Sequence, residues 1–375
     1  VRIRFGQVTH TAAERMLRKH IQDAQVDSPE SFVEATSPLT TFKQQANWWL
    51  REMRAGRIVS RKRRTRIKPA TLANYESAVN WLNAFLGDVS LADVRNEKAK
   101  QLVLQMRKRQ LSDKTMVNYF QVVRSVVASA VSSEGEQLYP RTWNFQFIGL
   151  PIVDERKQNK PFLTGPEIEQ ILGRAKPRYK ALFALLAGTG LRIGEALGIR
   201  ISDFSDDFKT VSISRSVWRS KTQEPKTANA VRQIDLPSPL AAYIKAYVGS
   251  RKIGFLFESG AGKPLNQRNL LRDGLWKIRR DLKLNQDGKG FHAFRRFRTS
   301  HLRRNRVPWD LEKFWMGHAN RDVTDKYAES LKEDKEWRKE AAEKTGLGFT
   351  LPTFQTSVGL LGLPIEVKTE VKNVM

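Results

Sequence analysis

The stretch LLAGTGLRIGEAL, residues 185–197, changes character twice within thirteen positions. An apolar helical run stops at Gly188 and Gly190, and a new helical turn opens with Arg192 and Glu195. Arg192 is an isolated cation among apolar neighbours, and Glu195, three residues on, falls on the same helical face. Alone, the pair reads as a structural ion pair that needs no ligand. The Gly-Thr-Gly run lacks the Lys-Ser/Thr that a phosphate-cradling P-loop requires, so it is not a nucleotide loop.

Working outward, helical spacing marks residues 166–175 and 179–187 before this stretch, and 268–282 and 291–304 after it. Between them, 211–217 and 231–236 alternate as strands, joined by a polar turn containing Pro225. This half of the chain therefore reads as helical with a small antiparallel sheet inserted. Downstream, Phe291-His292-Ala293-Phe294-Arg295-Arg296 places His292 and Arg295 on one helical face, a pattern that arises readily by chance in so basic a chain. Then comes Met316-Gly317-His318, with Tyr327 nine residues after the histidine. The chain has 5 histidines in all, and His292, His301 and His318 fall within 27 residues of one another, which tilts the reading toward a site.

The amino-terminal half has a different rhythm. Phe42, Ala46, Trp49 and Leu50 line one helical face; Leu72, Tyr75, Val79, Leu82 and Phe85 line a second, entered at Pro69 and closed at Gly87. Leu102, Val103 and Met106 mark a short helix, and Met116, Tyr119, Val123, Val126, Val127 and Val131 a further one starting at Ser112. Residues 37–150 form a helical module, and its aromatic and methionine positions read as core. The charged run DERKQNK, 154–160, lies within a linker over 151–160. Residues 1–36 form an arm, with a basic helix over 11–25, whose role is open between DNA contact and partner packing.

Charge narrows the partner. Across 375 residues, Lys+Arg number 66 against 39 Asp+Glu, a net charge of +27, and a surplus of that size calls for a polyanion. Residues 51–70 carry nine Lys/Arg and one Glu between two amphipathic segments, so Arg61, Lys62, Arg63, Arg64, Arg66 and Lys68 are candidate phosphate contacts. With 6–10 such contacts, affinity should fall about 10³- to 10⁵-fold between roughly 50 and 200 mM salt, measurable by titration at graded ionic strength. Removing positives from the loop should weaken binding on all sequences alike. No apolar run approaches the ~18 residues of a membrane span. The absence of cysteine excludes a disulfide scaffold and a thiol nucleophile and fits a reducing compartment. The first residues show no secretory h-region, and residue 1 is Val rather than Met, which leaves upstream sequence open.

The motifs acquire weight in combination. Arg192, then His292-x-x-Arg295, then Gly317-His318, then Tyr327, in this order and spacing, resembles the tyrosine recombinase family, the phage-integrase type of site-specific DNA recombinase. The segment Lys68-Pro69-Ala70-Thr71-Leu72-Ala73-Asn74-Tyr75 resembles the helix entry of that family's core-binding domain, and the likeness spans approximately residues 40–330. The resemblance implies a mainly α fold with a small antiparallel β-sheet: a helical, SAM-like core-binding domain over 37–150, then an α+β catalytic domain over 161–335.

It also implies roles. Tyr327 would attack a phosphodiester to leave a 3′-phosphotyrosyl bond and a free 5′-hydroxyl, storing the bond energy without ATP. Arg192 and Arg295 would clamp the non-bridging oxygens, and His292 and His318 would hydrogen-bond the phosphate. A lysine on the hairpin would protonate the leaving oxygen; Pro225-Lys226-Thr227 matches the family better than Lys221, so Lys226 is the choice. Glu195 would orient Arg192 or nearby backbone, His301 reads as structural, and Met316 replaces the leucine common before Gly-His. The implied reaction needs no metal or other cofactor, and no carboxylate-rich metal cluster appears. Expected partners are double-stranded DNA, further copies of the chain in a tetramer on paired sites, and accessory DNA-bending or directionality proteins, with no membrane and a cytoplasmic, nucleoid-associated location. Residues 336–375 form a tail that in relatives often packs onto a neighbouring protomer, against the alternatives of a disordered tail or a strand folded back on its own domain. The rivals are a type IB topoisomerase, separable by a relaxation assay without paired sites, and a non-catalytic DNA-binding regulator. The regulator would leave the ordered Arg, Lys, His, Arg, His and Tyr without purpose.

Overall fold

Helix α1 (Phe42–Ala55) begins where Thr41 and Gln44 cap each other reciprocally, and stops at Gly56, whose φ of 82° turns the chain out of the helix. The computed structural model describes residues 40–60, 64–154, 156, 160–223, 231–284, 288, 290–318 and 333–353. The chain divides into two units, Val1–Gln158 and Asn159–Met375.

In the first unit α1 packs with α2 (Pro69–Leu86), α3 (Asn96–Lys108) and α4 (Asp113–Val127). Pro69 opens α2, where its missing N–H costs nothing, and the Ser112 hydroxyl caps α4 by accepting from the Thr115 N–H. Phe42, Val79, Leu82, Met106, Val123 and Val126 are buried at the centre. Each such side chain contributes on the order of 1.5–3 kcal/mol through burial. Tyr75, Phe85 and Tyr119 lie at the rim of this core: Tyr75 is 5.1 Å from Trp49, and Trp81 lies 4.8 Å from Phe85 and 5.3 Å from Tyr119 between ring centroids. A short α5 (Phe145–Ile148) adds Ile148 to a satellite cluster with Ala99, Val103 and Phe120.

The second unit is built around α7 (Pro177–Thr189), in which every residue from Ala181 to Thr189 is buried. A helix apolar on all sides must be surrounded, and α6 (Gly165–Arg174), α9 (Ser238–Val248) and α12 (His292–Arg304) surround this one. Phe183 of α7 stacks on Phe294 of α12 at 5.6 Å, fixing the helix that carries His292 and Arg295. Between α9 and α12 the chain runs through α10 (Gln267–Asn269), a π-helical segment (Leu270–Trp276) and α11 (Lys277–Asp281), where the periodicity had predicted one uniform helix.

The strands depart from the sequence expectation. Residues 211–217 are not one strand: β1 (Thr210–Ile213) pairs antiparallel with β4 (Arg232–Asp235), with Thr210 opposite Asp235, while β2 (Ser216–Trp218) pairs with β3 (Lys221–Gln223). The break falls at Ser214 and Arg215, because β2 is drawn onto the short helix α8 (Ile193–Gly198). Gly194 and Gly198 make that approach possible. A Cβ at Gly194 would stand 2.6 Å from Ser216 Oγ, and one at Gly198 would stand 3.0 Å from the Arg215 carbonyl oxygen. The tight turn is Arg219-Ser220, both at positive φ (48° and 60°), as a two-residue hairpin demands. Pro225, which the sequence reading placed in the turn, lies outside the described residues.

Beyond α13 (Trp309–Met316), α14 (Lys335–Thr345) packs into this unit's own core. Ala342 and Leu347 are buried, and Arg338 donates to Asp235 Oδ2 (2.9 Å) and Gln233 Oε1 (3.0 Å) on β4. The sequence reading placed this helix in the tail; seven of its 11 residues are charged, and it is anchored by the buried Arg338–Asp235 ion pair and by Ala342. His301 hydrogen-bonds the Thr345 carbonyl (2.9 Å) and stacks on Phe297 (6.0 Å), a structural position as expected.

Candidate active site

The left-handed Gly190 (φ 70°) closes α7, and two residues later Arg192 caps α8 in extended conformation. Its backbone N–H donates to Glu195 Oε2 at 3.0 Å and its Nη1 to Glu195 Oε1 at 2.8 Å. Glu195 thus holds both the backbone and the side chain of Arg192. The Arg192 side chain keeps 44% of its surface exposed, leaving part of the guanidinium open to a ligand.

Glu195 is buried, and burial by itself pushes its carboxyl up; Arg232 and Arg192 outweigh that and hold it below the ordinary carboxylate range. Arg232 reaches it from β4, Nη2 to Oε2 at 3.1 Å.

Arg295 lies one turn into α12 and is 4% exposed. Nη1 donates to the Gly190 carbonyl (2.9 Å), Nη2 to the Met316 carbonyl (2.5 Å), and Nη2 is also 3.0 Å from His318 Nε2. These contacts tie the ends of α7 and α13 to α12. Desolvation, then the charge of Arg192, lowers the Arg295 guanidinium to about 10, still fully protonated near neutral pH.

His318 follows Gly317, whose φ of 62° reverses the chain at the end of α13. An arginine only donates, so His318 Nε2 accepts, and the ring is neutral with its proton on Nδ1. Partial desolvation of the ring, then Arg295 and Arg192, pull it down to about 4. His292 opens α12, exposed, and is lowered by desolvation and then by Arg296, Arg295 and Arg192. The signs give a test. The folded chain resists protonating His318 while the unfolded chain does not, so this residue costs stability as pH falls from about 6.5 toward 4. NMR titration of the DNA-free protein should place the ring near 4, and Arg295→Gln should move it upward; an ordinary value in the unsubstituted protein would contradict the contact with Arg295.

Four of the sequence candidates therefore gather as two contacting pairs, Arg192 with Glu195 and Arg295 with His318, which act on each other through their charges, and His292 lies within the same field. Lys226 and Tyr327 lie outside the described residues, while Lys221 opens β3, exposed. Of the basic loop, Arg61, Lys62 and Arg63 also lie outside them. Arg64 is exposed at φ 55°, Lys68 caps α2, and Arg66 turns its guanidinium onto the Arg54 carbonyl (2.7 Å). Among the described residues no group of three or more His, Cys, Asp or Glu could hold a metal ion, and no helix is long and apolar enough to cross a membrane.

Sequence reasoning missed Arg232, Asp235 and Trp315. Arg232 donates Nε to the Trp315 carbonyl (2.8 Å), and Trp315 Nε1 donates to Asp235 Oδ2 (2.9 Å). A signal existed for the first: Arg232 shares a strand face with the core residue Ile234, an inward position for a cation. Two guanidiniums and two imidazoles around one carboxylate-braced point can bind a phosphate and stabilise charge developing on its oxygens.

Comparison with known proteins agrees with this chemistry. The Phage integrase family model matches residues 161–334, and the Phage integrase SAM-like domain model matches residues 56–140. A tyrosine recombinase XerC-like protein of Caldanaerobacter subterraneus is 26% identical over 293 residues, 68% of this chain and 73% of that one. Among solved structures, the Tn1549 transposon integrase in complex with a circular intermediate DNA superposes with a TM-score of 0.60 at 20% identity, over 78% of this chain and 98% of that one. A lambda integrase from a tetramer bound to a Holliday junction gives 0.54 at 16% identity, over 87% and 88%.

Proposed function

Because the chain belongs to the phage integrase family of tyrosine recombinases, which break and rejoin DNA, we propose that it cuts, exchanges and reseals duplex DNA at specific sites through a covalent bond to Tyr327. The observation that carries this reading is the convergence of Arg192, Arg295 and His318 from three separate parts of the chain. Two of them are arginines, whose planar forks match phosphate oxygens.

In the first step the Tyr327 oxygen bonds to phosphorus as the bond to the 5′-oxygen breaks. Lys226 supplies the proton that the departing oxygen takes up. Arg192 and Arg295 neutralise the non-bridging oxygens of the five-coordinate transition state. His318, with its proton moved from Nδ1 to Nε2, donates to the phosphate in place of accepting from Arg295, and His292 hydrogen-bonds the same group and takes up the proton that Tyr327 loses. Rejoining is the reverse, with the 5′-hydroxyl of the exchanged strand attacking the phosphotyrosine. One phosphoester bond replaces another, so no ATP is called for.

Exchange between two duplexes requires one active tyrosine per strand, so the assembly proposed is a tetramer on two paired sites. The basic loop, with Arg61, Lys62, Arg63, Arg64 and Lys68, adds sequence-independent phosphate contacts in the first unit.

The test is covalent trapping. Nicked duplexes that lose a short 5′ fragment after cleavage should accumulate a protein–DNA adduct with the unsubstituted protein. Tight binding with no adduct on any DNA flanking the coding region would refute the strand-transfer reading. Adduct formation with relaxation of unpaired circular DNA and no exchange would turn it toward a topoisomerase.

A further inference from the structure

Arg232 takes no part in the steps above, yet it occupies the junction of the site's supports. Its side chain is 1% exposed. Nη2 donates to Glu195 Oε2 (3.1 Å) and Nε to the Trp315 carbonyl (2.8 Å), two acceptors from segments far apart in the chain. It also fills the space beside Gly317: a Cβ there would stand 2.8 Å from Arg232 Nη1 and 2.9 Å from Cζ. We infer that Arg232 is a positioning residue, setting Arg192 through Glu195 and setting the turn that presents His318 through Trp315 and Gly317. The inference rests on the strand-transfer reading.

The physical case begins with charge. Glu195 is the carboxylate shared by Arg192 and Arg232, one side-chain contact to each of its oxygens. Two cations share one anion, so Arg192 is left with net positive charge to offer a phosphate. Without Arg232, Glu195 would neutralise Arg192 one-to-one, or take up a proton because its burial would be opposed by fewer cations. Either way the phosphate meets a weaker Arg192.

Geometry adds a second reason. The Trp315 carbonyl and Gly317 belong to the end of α13, which Arg295 also holds through the Met316 carbonyl. The turn before His318 is therefore fixed from two sides, by Arg232 on β4 and Arg295 on α12. A lysine in place of Arg232 would carry the charge but not the fork, and could not serve both acceptors in the same geometry. Gly317 completes the fit, because its positive φ and its missing Cβ are both used.

The experiment is single-turnover cleavage of a nicked duplex across a pH series, with the full chain as wild type, Arg232→Met, Arg232→Lys, Glu195→Gln and Arg232→Met/Glu195→Gln. Arg232→Met should cleave about 100-fold more slowly, the scale of losing one electrostatic support of a transition state. Its DNA affinity should stay within about threefold, because many phosphate contacts share the binding. Its acid limb should move to higher pH, since Glu195 would then face only Arg192 and, at longer range, Arg295. Glu195→Gln should cost far less in the Arg232→Met background than in wild type. Arg232→Lys should recover less than a tenth of the lost rate.

Slow cleavage with an unshifted pH profile and additive double-mutant effects would make Arg232 merely structural and overturn the inference. If Arg232→Met fails to fold, Arg232→Lys decides by the same pH profile and by its own double variant with Glu195→Gln. A wild type that cleaves beside an Arg232→Met that cleaves equally well sinks this inference alone. A wild type that forms no adduct with any candidate DNA sinks the strand-transfer reading and this inference with it.

Discussion

Tyr327→Phe is expected to remove the covalent protein–DNA adduct entirely while DNA affinity stays close to that of the unsubstituted chain. The substitution deletes a single oxygen, the atom that would bond to phosphorus. Loss of a nucleophile from a group of residues that act as a unit lowers the rate by on the order of 10⁴- to 10⁶-fold. Binding should survive because the tyrosine is one contact among many to a polyanion, and the chain carries a net charge of +27. Trapping assays on nicked duplexes, run beside equilibrium binding at fixed salt, measure both quantities. An adduct persisting in Tyr327→Phe would move the nucleophile to another residue and dissolve the spacing argument from His318.

Arg295→Gln is expected to lower single-turnover cleavage by about 10²- to 10³-fold, the range found when a preorganised donor to a developing anion is removed. The effect is large because Arg295 both carries charge and braces the site. Its guanidinium spans the Gly190 and Met316 carbonyls and meets His318. A glutamine amide reaches one carbonyl at best and supplies no charge. Arg295→Lys should recover little, because an ammonium has no planar fork to bridge two carbonyls. Thermal melting should separate the catalytic from the structural loss. Removing a cation that burial already disfavours relieves desolvation, while unpairing two carbonyls costs stability, so the melting shift should be small against the change in rate. Cleavage by Arg295→Gln within about tenfold of wild type would contradict the phosphate-clamp role.

Much of the molecule was legible because its signals are local. Pro69 and Ser112 announce helix starts through the backbone groups they dispense with or satisfy. The apolar run ending at Gly188 and Gly190 announces a buried helix, and α7 is buried from Ala181 onward. Spacing placed Glu195 one turn from Arg192, and the two pair. The strands were less legible. The alternation over 211–217 is real, but its break depends on β2 closing onto α8 where Gly194 and Gly198 leave room, a contact no window of sequence contains. The charged composition of α14 hid its burial for the same reason: its anchor, Arg338, is paired with Asp235, 103 residues away.

By itself, then, the chain's sequence determined the helical character of both units and the family, and nominated the residues proposed to meet a phosphate. Those follow from short-range periodicity, capping and the order of a few reactive side chains. Only the tertiary structure decided how the residues are held. Glu195 is one carboxylate shared by two arginines, His318 is a neutral acceptor, and Arg232 links β4 to α8 and to the end of α13. These are properties of charges brought together inside a low-dielectric interior, where desolvation and pairing outweigh each residue's behaviour in water, and that environment exists only once distant segments have packed.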